Sequence, residues 1–131
     1  MKTEIKMNST GGETPYSPAL LMNQQLYVSG QLPVDPETNT IPEDIAGQTK
    51  LCMENLKALV EKAGLSMDDV VKTTVYMTDF SHFSEMNAMY RQYFTKPYPA
   101  RCACEVSGLA RGAAVEIECI AVAQKPDAKS A

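Results

Sequence analysis

Two periods run through this chain. In some stretches every second residue is apolar, and in others apolar residues return every three or four positions. Ala19 to Met22 and Gln25 to Gln31 read as two strands around an Asn23-Gln24 turn. Val70 to Met77 is β-branched and alternating, and reads as a third. Cys102 to Val106 and Val115 to Ala123 read as the last two, joined by a loop that holds Gly108 and Gly112. Lys2 to Met7 alternates weakly, enough for a short strand. The helical period governs the stretch from Glu43 or Asp44 to Ala63, where Ile45, Cys52, Leu56, Leu59, Val60 and Ala63 recur on one face. Acids at its start suit the helix dipole, and Gly64 suits its end. A second helix begins at Asp79-Phe80-Ser81, carries the apolar stripe Phe83, Met86, Tyr90 and Phe94, and stops before Pro97. Asn8 to Pro18 and Pro33 to Asn39 read as loops, and Lys125 to Ala131 as a frayed tail.

The predicted order is β-β-α-β-α-β-β, an α+β arrangement over a single domain spanning residues 1–131. The strand–helix–strand steps favour right-handed crossovers. Two helices cover one face of such a sheet. The last strand sets Val115, Ile117, Cys119 and Ala121 on one side and Glu116, Glu118, Ile120 and Val122 on the other. That second side is too apolar to stay wet and too charged for a plain core, so a further subunit is the simplest cover. Arg101, Ala103 and Glu105 share one side of the preceding strand. A guanidinium forks onto a planar carboxylate through two parallel hydrogen bonds. If these two strands are neighbours, Arg101 and the glutamates supply a pocket for an organic acid. The alternative is a structural ion pair between Arg101 and Glu116 or Glu118.

Composition narrows the classes. Of 131 residues, 44% are hydrophobic, enough to bury a core. The net charge of -4 argues against a nucleic-acid surface, which needs a basic stripe. The amino terminus lacks the apolar run of a secretion signal and no window is long enough to span a bilayer, so a soluble cytoplasmic protein is expected. The four cysteines, Cys52, Cys102, Cys104 and Cys119, contain no C-x-x-C, and His82 is at no usual spacing for a shared zinc site. They read as reduced, buried thiols. Cys102 and Cys104 project to the same side of one strand, a poor arrangement for a disulfide between them.

Several segments carry a resemblance. Pro15-Tyr16-Ser17 is similar to a G-P-Y-S segment, and Val28-Ser29-Gly30-Gln31-Leu32-Pro33 to a V-S-G-Q-I-P strand end. Asp35-Pro36-Glu37-Thr38 fits the turn that follows, and Asp69 to Val75 fits a central strand. Asn87, Tyr90, Tyr93 and Phe94 fit N-x-x-Y-x-x-F-F, and PARCACEV with VEIECIA fits a carboxy-terminal pattern. In this order they resemble the Rid (reactive intermediate deaminase) or YjgF-like family, RidA type, over nearly the whole chain. The resemblance implies a chorismate-mutase-like α+β fold with a mixed sheet, and a homotrimer with clefts between subunits. It implies hydrolysis of 2-imino acids and their enamines to 2-oxo acids and ammonia, with no cofactor or metal.

The same resemblance implies roles. Arg101 binds the substrate carboxylate, and Glu116 positions or activates the attacking water, with Glu118 the candidate if the register shifts. Tyr16 is a lid residue, and otherwise a packing anchor. Ser29 donates to substrate or is a turn serine, and Gly30 lets the backbone approach a ligand closely. Asn87 contacts ligand or hydrogen-bonds a loop to shape the pocket. Ala103 stands where many relatives have cysteine, so thiol chemistry is not expected there, although its backbone groups remain available. Thr14 and Ala110 depart from a usual glycine and proline, the second implying a looser loop. Two other classes stay open: a non-catalytic 2-oxo acid sensor or chaperone-like binder, and an endoribonuclease or translation inhibitor, which the acidic balance disfavours.

Overall fold

Alternation fixes this architecture, because one central strand has to serve a core on one side only. The computed structural model describes residues 1–7 and 14–124, so the predicted tail and part of the first loop lie outside the described residues. Six strands form one mixed sheet in the order β1-β2-β3-β6-β4-β5. They are β1 (Thr3–Ile5), β2 (Ala19–Met22), β3 (Gln25–Gln31), β4 (Val70–Met77), β5 (Ala100–Glu105) and β6 (Val115–Val122). Two helices, α1 (Ile45–Lys62) and α2 (Phe83–Tyr90), pack on one face. The α+β reading holds. The weak alternation at the amino terminus forms a strand, so the order gains one β element at its start.

The β2–β3 hairpin turns at Asn23 and Gln24, with φ of 50° and 68°. A two-residue hairpin needs left-handed backbone at both positions to match strand twist. Asp44 caps α1 by accepting from the Gly47 N–H at 3.0 Å. Gly64 follows its last turn at φ +90°, a conformation that a side chain resists. The second helix is shorter than its stripe. Asp79 caps a 3₁₀ turn at Phe80–His82, α2 ends at Tyr90, and Phe94 follows another 3₁₀ turn. Phe94 is still buried, its ring 5.1 Å from that of Tyr90.

Cys52, Met53, Leu56 and Val60 of α1 bury against Val115, Ile117, Cys119 and Ala121 of β6, Val75 and Met77 of β4, and Leu26 and Val28 of β3. The alternate residues of β6, including Glu116 and Glu118, face away from the helices. β6 lies antiparallel between β3 and β4, while β5 runs parallel to β4 at the sheet edge. β5 and β6 are therefore not neighbours, and the pocket that depended on their adjacency does not form that way.

The cysteine reading holds for only half of the residues. Cys52 and Cys119 are buried, but Cys102 is exposed and Cys104 only partly covered. The reason is their place on the uncovered face of an edge strand. The loop at Ala110 is not loose either, since Arg111 donates from Nη1 to Asn39 Oδ1 at 3.0 Å and from Nη2 to the Asn39 carbonyl at 3.2 Å.

Ile117 has no exposed surface at the centre of the sheet. Ile117→Ala should cost about 2–5 kcal/mol in urea unfolding, against about 1 kcal/mol for Asp44→Ala at the helix cap.

Candidate functional site

Arg101 and Glu116 occupy opposite faces of the sheet. Arg101 pairs in register with Thr73, whose side chain is buried on the helix side, so Arg101 also rises on that side. Its Nη1 donates to Asn87 Oδ1 on α2 at 2.7 Å. Its guanidinium carbon stands 4.8 Å from the Tyr90 ring centroid and 5.4 Å from that of Phe83. Such distances suit attraction between a cation and a ring face. The Tyr90 ring is in turn fixed by a buried hydrogen bond between its hydroxyl and that of Thr73, at 2.7 Å. Among the described residues no carboxylate forms an ion pair with Arg101. The alternative reading, a structural ion pair with Glu116 or Glu118, is thus not formed, because β4 separates the strands and the side chains diverge. Asn87 acts as the positioning partner of the arginine.

The other face carries a second set. Tyr76 stands opposite Glu116 and Thr74 opposite Glu118 on β4. On β3 the register slips between Val28 and Gln31, so Ser29 and Gly30 together oppose Glu118 in a β-bulge. A Cβ at Gly30 would overlap the Glu116 carboxylate, so a side chain there would push that carboxylate aside. The Ser29 hydroxyl donates to the Ser17 carbonyl at 2.7 Å and the Ser29 N–H to Pro18 at 2.9 Å. The serine thus ties the segment bearing Tyr16 to the bulge. Tyr16 is 61% exposed, with a ring free to meet something outside the chain. A groove of about 590 Å³ lies here, lined by Tyr16, Ser29, Tyr27, Lys72, Thr74 and Glu118.

Burial, and then the like charge of Glu118, raise the Glu116 carboxyl above its ordinary value. A carboxylate in that condition is a better proton acceptor than a solvated one. Ala103 pairs with Val75 and shares the side of Arg101, while Cys102 and Cys104 face the other way, as alternation required.

The predicted residues thus form two groups. Arg101, Asn87 and Ala103 belong to the helix side at the β5 edge, and Glu116, Gly30, Ser29 and Tyr16 to the open face. Sequence reasoning missed Phe83 and Tyr90 as the platform under the arginine. Their helical spacing to Asn87 was the available signal, and it was read only as a core stripe. No helix among the described residues is long and apolar enough to cross a membrane.

The family model described as endoribonuclease L-PSP matches residues 7–123. A 2-iminobutanoate/2-iminopropanoate deaminase of Salmonella typhimurium is 40% identical over 124 residues, 92% of this chain and 97% of that protein. A RutC family protein of Pyrococcus abyssi is 48% identical over 108 residues, 82% of this chain and 85% of that one. The crystal structure of Escherichia coli TdcF with bound serine superposes with a TM-score of 0.87 at 37% identity, covering 93% of this chain and 99% of that one.

If burial and Glu118 govern Glu116, its titration followed by carboxyl ¹³C NMR should fall above the ordinary range. Glu118→Gln removes a like charge and should move that midpoint down; an unmoved midpoint would mean that Glu118 has no part in it.

Proposed function

The chain belongs to the endoribonuclease L-PSP family, also called YjgF or Rid, and on that premise we propose that it hydrolyses 2-iminobutanoate and 2-iminopropanoate to 2-oxo acids and ammonia. The observation that carries this reading is an arginine oriented by Asn87 and two rings yet free of any carboxylate among the described residues. Such a cation is a ready receptor for the one permanent charge of a small imino acid.

Water then adds to the imine carbon, and Glu116 accepts its proton. Glu116 returns that proton to the nitrogen, and the hydroxyl proton of the tetrahedral adduct follows as it collapses, so the nitrogen leaves as ammonia and the 2-oxo acid remains. The raised proton affinity of Glu116 supports its role as that base. Gly30 opens the space in which the carboxylate sits. Tyr16 would close over the ligand from its exposed segment.

A single copy holds these groups on opposite faces, so the proposed centre joins Arg101 of one copy to Glu116 of the next. The resemblance makes this assembly a homotrimer. The exposed apolar positions of the open face, Tyr27, Met22 and Val122, support a covering copy there.

The assay generates 2-iminobutanoate from threonine with a dehydratase and follows its loss. Arg101→Ala should lower kcat/KM about 100-fold or more, since a charge-assisted fork is lost. Asn87→Asp keeps the shape but gives Arg101 an internal carboxylate, and should raise KM at least about tenfold in a folded protein. Binding of 2-oxobutanoate without any acceleration of imine loss would make the protein a binder instead.

Mixing tests the shared centre. Arg101→Ala and Glu116→Gln chains, each inactive alone, should recover activity when unfolded and refolded together. Failure to recover, with mixed assemblies verified by native mass spectrometry, would place both groups' action within one copy.

A further inference from the structure

Thr73 lies in the middle of a row that crosses the sheet on its helix side. From β4 it pairs with Arg101 on β5 and with Cys119 on β6. It has no exposed surface, and Tyr90 above it is only 5% exposed. Their contact is interior to one chain, so it does not depend on what covers the open face or the β5 edge. The two hydroxyl oxygens stand 2.7 Å apart, and among the described residues Tyr90 is the one side-chain partner of the Thr73 hydroxyl.

A buried hydroxyl costs free energy unless it is hydrogen-bonded. Valine with phenylalanine would fill the same space without that cost. The hydroxyl pair therefore contributes direction, since packing needs neither oxygen. Phe94 packs against the Tyr90 ring with centroids 5.1 Å apart, and the hydrogen bond ties the hydroxyl end of that ring to β4. The Arg101 guanidinium carbon lies closer to this ring than to Phe83, at 4.8 Å against 5.4 Å. Attraction between a cation and an aromatic ring belongs to the ring face, while the ring edge is positive. A tilt of Tyr90 would turn edge toward guanidinium and weaken the hold.

We infer that Thr73 is a positioning residue for carboxylate binding: its hydroxyl sets the tilt of the Tyr90 ring, and the ring sets the direction of the Arg101 fork. The inference rests on the proposed role of Arg101 as receptor for the substrate carboxylate. Asn87 holds the guanidinium by one nitrogen, Nη1. One hydrogen bond leaves the plane of the fork free to swing about it, and the ring removes that freedom. Burial raises the Tyr90 phenol above its ordinary value, against the Thr73 bond and the Arg101 charge, so the hydroxyl keeps its proton at neutral pH and stays in the pair.

The test compares the parent with Thr73→Val, Thr73→Ser and the double variant Thr73→Val/Tyr90→Phe. Thr73→Val strands the Tyr90 hydroxyl in the interior and should lower the urea midpoint. The double variant removes both hydroxyls and should bring that midpoint back near the parent's. KM for 2-iminobutanoate and Kd for 2-oxobutanoate should rise about fivefold in Thr73→Val and stay raised in the double variant. The kcat should hold within about twofold, because Arg101 grips the carboxylate in ground and transition states alike. Thr73→Ser keeps the hydroxyl and should bind within about twofold of the parent. The Arg101 Nε–H NMR signal, assigned by its loss in Arg101→Ala, should shift in Thr73→Val and in the double variant but not in Thr73→Ser. That signal needs no imine chemistry. A double variant with parental stability and parental KM and Kd, or an Arg101 signal that Thr73→Val leaves in place, would overturn the inference. A parent without imine turnover whose Arg101 signal still follows Thr73 would overturn the deaminase reading and support the positioning.

Discussion

The two-residue period of the β-strand governs this molecule. In β6 it commits Val115, Ile117, Cys119 and Ala121 to the core and turns Glu116 and Glu118 outward. In β5 the same rule, read through the register with β4, turns Arg101 toward the helices and Cys102 and Cys104 away from them. No rotamer change moves a side chain through a sheet. A slip of one residue would expose the apolar set of β6 and drive two carboxylates into the core, so the register is held by the whole hydrophobic interior. The chemistry of each face inherits the precision of that packing.

Local pattern was highly legible here. The strands at Ala19–Met22, Gln25–Gln31 and Val70–Met77 have the bounds read from sequence, the first two because the Asn23-Gln24 turn divides them and the third because its β-branched residues alternate. The cap at Asp44 and the end at Gly64 were equally local. Adjacency was not legible. Nothing within Val115 to Val122 says that it inserts between β3 and β4, since that choice depends on pairings far apart in the chain. From that one fact follow the separation of Arg101 from Glu116 and the exposure of Cys102 at an edge.

Candidate residues were legible as types and less so as partners. Asn87 was expected to touch ligand or brace a loop, and it holds the arginine. Ser29 was expected to donate to substrate or to be a turn serine, and its hydroxyl donates to the Ser17 carbonyl. In both cases a short polar side chain serves a neighbour 14 or 12 residues away, and sequence spacing carries no trace of this. The bulge at Ser29 and Gly30 was foreshadowed only by the glycine, whose missing Cβ leaves the space that the Glu116 carboxylate occupies.

Opposite faces also constrain any assembly. If one ligand is to meet both Arg101 and Glu116, the β5 edge of one copy must approach the open face of another. These are different patches, so the contact is heterologous. A two-fold axis, which sets a patch against itself, would bring arginine to arginine and glutamate to glutamate. Heterologous contacts repeat from copy to copy until a rotation closes them into a ring. Each copy in such a ring gives its arginine to one cleft and its carboxylate to another, so clefts equal copies in number. A closed threefold ring, which the family resemblance implies, would meet that condition, and it would also bury the apolar part of the open face.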